Sequence, residues 1–129
     1  MHFANASPFR RLSTVLGGAT LVSVAALLAW DALPDRFPAR AHDCLAALPL
    51  ALIAVAWIVH RASQRPSRAV LVKAGILAAA FLFWAANQLW PDSARATLWN
   101  DLAVVLFVLD VWLAARERPR KMPAGGGEL

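Results

Sequence analysis

AGILAAAFLFWAANQLW, residues 74–90, carries no charge from end to end, and after Pro91, Asp92 and Ser93 the chain enters a second apolar run, ATLWNDLAVVLFVLDVWLAA, residues 96–115. At 1.5 Å of rise per residue, runs of this length approach the ~30 Å of hydrocarbon in a bilayer when they coil as helices. Two more runs of the same kind occupy 12–30 and 44–59. The pattern predicts an all-α, integral membrane four-transmembrane-helix bundle with helices over 9–30, 43–61, 68–90 and 94–116. Once four spans and their short loops are assigned, nothing is left for a second domain, so 1–129 reads as one membrane domain. Its end, 119–129, is rich in glycine and has nothing to bury, and is expected to be flexible.

Composition points the same way. Apolar residues make up 60% of the chain and charged residues 16%, with a mean hydropathy of +0.54. A soluble domain is typically about 45–50% apolar and about 25% charged. The single cysteine, Cys44, excludes an internal disulfide and a CxxC redox pair, and reads as a small packing residue.

Positive charge sorts the two ends of the bundle. Ten of the thirteen Lys and Arg residues lie before the first span, between the second and third, or after the fourth; Arg36, Arg40 and Arg95 lie in the other two loops. Basic flanks resist translocation, so both termini and the middle loop are expected in the cytoplasm, in a bacterial inner (plasma) membrane. The net charge of +5 follows from this bias rather than from a basic face, which argues against nucleic acid and for the lipid bilayer as the first partner. Arg10 and Arg11 before an apolar run also describe a secretory signal, with Val24 and Ala26 as a cleavage pattern. The run continues to Trp30, an interfacial anchor, and is read as a span.

Local punctuation agrees with helices at these places. Ser7 before Pro8, Ser67 after Pro66, and Asp92 or Ser93 after Pro91 are candidate N-caps. Pro49 lies within the second run, where a kink is tolerable. Trp30, Trp90 and Trp99 fall at one boundary and Trp57 and Trp112 near the other, as an aromatic belt; Trp84 lies deeper, as packing. Ser13 with Gly17, Thr14 with Gly18, Ala19 with Ser23, and Gly75 with Ala79 are four apart and suggest close helix contacts.

The polar residues inside the spans are the candidate functional residues. A charged aspartate such as Asp110 costs ~2.5–3.5 kcal/mol on insertion and calls for compensation. Folding the last two helices about a turn near Ser93 brings Lys73 within ~4.5 Å of its depth, which predicts a Lys73–Asp110 pair. The same construction levels Asn87 with Asn100 and predicts a second contact, with Gln88 and Asp101 nearby. Lys73, Ala80 and Asn87 share one helical face, and Trp99, Ala103, Leu106 and Asp110 share another. Asp101 is half a turn away from Asp110, which weakens a proton track, and His60 is a weaker candidate for a relay to Asp110.

Enzyme readings find little support. There is no nucleophile elbow or Gly-rich phosphate loop, and His2, His42 and His60 are too scattered for a metal site, so no cofactor is expected. Arg40, Ala41, His42 and Pro49 resemble a fragment of the loop motif of membrane-associated glutathione and eicosanoid enzymes, which would imply a four-helix glutathione-using protein. Cys44 and Ala47 stand where that motif has Asn and Glu, and the fragment falls on the wrong side of the membrane. The expectation is therefore a non-enzymatic structural or accessory bundle, in a homo-oligomer or a larger membrane complex. The alternative is a small proton- or ion-coupled transporter acting as an oligomer through Asp110.

Overall fold

The computed structural model describes residues 8–33 and 38–117, which are all-α. The helices are α1 (Pro8–Asp31), α2 (Ala39–Ser63), α3 (Arg68–Leu89) and α4 (Ala96–Arg116), each long and apolar enough to cross a membrane. Ser7 and the tail 119–129 lie outside the described residues. Short links set neighbouring helices antiparallel. One end of the bundle therefore gathers the start of α1, the α2–α3 loop and the end of α4, and is here termed the basic end; the other is the far end.

Two helix starts differ from expectation. α2 begins at Ala39 rather than near 43, because Pro38, extended at φ −69 and ψ 140, stands before the first turn and its carbonyl accepts from the Ala41 and His42 amides. That extra turn carries His42, whose Nε2–H donates to Asp31 Oδ1 at 2.8 Å and ties α2 to the end of α1. α4 begins at Ala96 rather than 94, since residues 91–95 form consecutive turns. Ser93 does not cap α4; its hydroxyl accepts from the Arg95 amide at 3.2 Å and its carbonyl accepts from the Ala96 amide. Ser67 does cap α3, accepting from the Val70 amide at 3.5 Å. α2 runs on through Pro49, which is buried and deprives the Leu45 carbonyl of its helical donor. It closes at a four-residue link, 64–67, where Arg65 takes the left-handed φ of 49.

The extensive packing runs in chain order, α1 on α2, α2 on α3 and α3 on α4. The inner pair is thus covered on two sides and the outer pair mainly on one. On α4 the covered positions are Ala96, Trp99, Asn100, Ala103, Leu106, Asp110 and Leu113, a stripe along one helical face that includes the positions read from the sequence. The seams are made of alanine. Ala80 and Ala103 are completely buried, with Ala47, Ala54, Ala56, Ala74, Ala78 and Ala85 close behind, while no large side chain among the described residues is fully buried. Leu21, Val22, Val72, Val105 and Val108 instead point outward. In water such a surface promotes aggregation.

The small-residue expectation is corrected in one respect. A Cβ added at Gly17, Gly18 or Gly75 would meet nothing within 4 Å, so the glycines are not the sites of close approach. α1 contributes Thr20 and Ser23 instead, with their hydroxyls donating to the Leu16 and Thr20 carbonyls, so that neither brings an unmet donor into the seam. Cys44, expected to pack, is exposed.

Candidate functional site: a charged cleft at the basic end

Side-chain direction decides what meets at the basic end. Cα–Cβ bonds lean toward the N-terminus of their helix. α3 starts at this end, so Lys73 leans out toward it; α4 starts at the far end, so Asp110 leans away. The expected Lys73–Asp110 pair is accordingly not formed. Lys73 Nζ donates to Glu117 Oε1 at 2.7 Å. Glu117 stands at the C-cap of α4 and is 68% exposed, while Lys73 is 24% exposed, a long stem covering apolar surface with its charge carried outward. An exposed pair of this kind contributes up to about 1 kcal/mol.

Asp110 nonetheless shares a cleft with that pair. The cleft, about 270 Å³, is formed by Trp57 and Arg61 of α2, Lys73 and Leu77 of α3, and Asp110 and Glu117 from the α4 end. Asp110 is half-buried and has no hydrogen-bond or ion-pair partner among the described residues. Across from it, the Arg61 guanidinium lies over the Trp57 ring, 4.5 Å from its centre. Arg61 Nε and Trp57 Nε1 are both buried and make no hydrogen bond among the described residues. Each such donor carries a desolvation cost of roughly 1–3 kcal/mol until something accepts from it.

Trp57, read from the sequence only as a belt residue, and Arg61 and Glu117 were not among its candidate functional residues. A signal for two of them is present. A tryptophan precedes an arginine by four residues at the end of α2, Trp57 and Arg61, and again at the end of α4, Trp112 and Arg116, where the guanidinium sits 3.8 Å from the ring centre. On a helix that spacing stacks the cation on the ring. Glu117 gives no such signal, since its role depends on the chain leaving the helix at φ −66 and ψ 111.

The weaker candidates are dispersed. His60 accepts a hydrogen bond from Gln64 Nε2–H at 3.1 Å and lines the groove between α1 and α2 with Ser13, Thr14 and Gly17. Asp110 lies in the other cleft, with Trp57 lining both, so the His60 relay has no direct route. At the far end Asn87 and Asn100 are both half-buried, but no side-chain hydrogen bond joins them. Opposite Cβ leans on antiparallel helices separate residues that lie level by count, and the Trp90 and Trp99 rings, 5.8 Å apart, occupy the seam there. Gln88 and Asp101 are exposed. Trp84 packs between Phe81 and Phe107, joining α3 to α4 at mid-height.

Comparison with known proteins gives no family model that matches the chain, no similar curated protein and no similar solved structure.

Proposed function

We propose that this chain is a multi-pass protein of a bacterial inner membrane, with its basic end in the cytoplasm, serving as a non-enzymatic accessory bundle within a larger membrane assembly. The observation that carries this reading is the distribution of side-chain size: alanine seams inside, large aliphatic side chains outside. Helices in lipid associate through close packing of small residues, and outward leucines and valines cost nothing when the surroundings are hydrocarbon. The basic bias of one end supports the orientation. Chain-order packing supports the accessory role, because α1 and α4 each keep a broad apolar flank that a neighbouring protein or lipid can cover.

Photocrosslinkers at Val15 on α1 and Val105 on α4, introduced in native membranes, test it. Both positions are well exposed. Reproducible crosslinks to one protein partner, or to a second copy of this chain, are the expected result; crosslinks to lipid alone from both positions contradict an accessory role.

The transporter reading is favoured by one observation, the unpartnered carboxylate of Asp110 in a polar cleft. It predicts ion or proton flux in proteoliposomes that Asp110→Asn abolishes while the protein stays folded. Absence of flux from the unaltered protein rejects it.

A further inference from the structure

The cleft at the basic end holds opposite charges that only partly satisfy one another. Two cations and two anions line it: Arg61, Lys73, Asp110 and Glu117. One cation and one anion are spent on each other in the Lys73–Glu117 bridge at the rim. Arg116, nearby, is stacked on Trp112. That leaves Arg61 and Asp110, on different helices and lining the same 270 Å³ space, with no ion pair between them. Stacking on Trp57 engages the face of the Arg61 guanidinium and leaves its in-plane N–H groups to donate. Asp110 offers the complementary acceptor.

A purely anionic ligand would satisfy Arg61 and be repelled by Asp110; a purely cationic one would meet the reverse. The occupant that satisfies both carries an anion and a hydrogen-bonding cation a few bonds apart. We propose that this cleft binds an aminoalkyl phosphate, its phosphate on Arg61 and its ammonium on Asp110, and that the source is the ethanolamine headgroup of a bilayer lipid. The location fits that source. Arg61 stands within the last turn of α2 and Asp110 six residues before the end of α4, about 9 Å in along the axis, so in a bilayer that these helices span the cleft runs from the headgroup boundary into the adjoining edge of the hydrocarbon, within reach of a lipid headgroup drawn in from the interface. Arginine is suited to the phosphate because its planar fork pairs with two oxygens at once. Only the choice of lipid as the source rests on the membrane reading above; the charge complementarity stands without it.

The test uses the full chain purified in detergent and exposed to equal amounts of phosphatidylethanolamine, phosphatidylglycerol and phosphatidylcholine, with retained lipid counted by native mass spectrometry. The unaltered protein is expected to retain phosphatidylethanolamine about tenfold better than either of the others, equivalent to about 1.4 kcal/mol. The quaternary ammonium of phosphatidylcholine cannot donate to Asp110, and phosphatidylglycerol has no ammonium. Asp110→Asn is expected to erase the preference over phosphatidylglycerol, and Arg61→Gln to lower retention of all three lipids. Equal retention of phosphatidylethanolamine and phosphatidylglycerol by the unaltered protein overturns the proposal, whatever the variants do. A preference unchanged in a folded Asp110→Asn protein overturns it as well. Soluble O-phosphoethanolamine provides the remaining arm: displacement of lipid only at large excess supports the headgroup, whereas binding of the soluble compound with no lipid retained overturns the lipid source and, separately, counts against the membrane reading.

Discussion

The two ends of the α3–α4 hairpin are built from different residue types and behave differently. At the far end a short turn brings the helices together, and Trp90 meets Trp99 across the seam at 5.8 Å. At the basic end no turn joins α3 to α4, and Lys73, Asp110 and Glu117 line a cleft that α2 completes with Trp57 and Arg61. Between them, Ala80 and Ala103 are completely buried and set how closely the helices approach. Aromatic rings close the α3–α4 seam at the far end, where a cleft of about 330 Å³ lined by Arg40, Asp43 and Trp90 lies toward α2 instead, whereas at the basic end charged side chains of α3 and α4 that lean in opposite directions line the cleft themselves. A cleft of this kind needs no insertion or extra element, only antiparallel helices with charges at their ends.

Three substitutions break that contrast in order of expected effect. Ala103→Leu puts a large side chain where the seam has no room, and overpacking typically costs about 1–3 kcal/mol. Both ends should loosen, visible as a lower midpoint of thermal unfolding in detergent; an unchanged midpoint would show that the seam is looser than its burial implies. Trp99→Ala removes the aromatic closure at the far end alone, worth about 0.5–1.5 kcal/mol beyond area. A crosslink between cysteines placed at the two helix ends nearest the turn should then form more slowly, with the basic end unaffected. Glu117→Gln frees Lys73 at the open end and should change stability by less than about 1 kcal/mol, as expected for an exposed pair. A larger loss would mean that the bridge, rather than α2 packing, holds α4 at that end.

The four long apolar helices and their phase were legible in the sequence because both depend on apolar residues repeated over many positions. The covered stripe of α4, from Trp99 through Asp110, was legible for that reason. Residue pairs were less so. Counting residues from a turn levels Lys73 with Asp110 and Asn87 with Asn100, but the opposite lean of side chains on antiparallel helices carries each pair apart. The same limit hid Glu117, which reaches Lys73 only because the chain leaves the helix there. Small residues misled differently. Glycine and alanine look alike as promoters of close approach, yet Ala80 and Ala103 fill the seam while Gly17 and Gly18 face open space. The early start of α2 was unread because the apolar run itself begins only at residue 44, and the tie from His42 to Asp31 is visible only once α1 and α2 are side by side.

The central claim is that the outward-facing aliphatic surface meets hydrocarbon. With Cys44 replaced by serine, spin labels at Leu21, 73% exposed, and Val105, 61% exposed, report directly on what surrounds them when the purified protein is reconstituted in lipid bilayers free of other proteins. Oxygen, which concentrates in lipid, should relax both labels strongly, and a water-soluble nickel chelate should reach neither, while a label at the exposed Asp92 in the α3–α4 turn shows the reverse. Ready access of the nickel chelate to the labels at 21 and 105 would contradict the account.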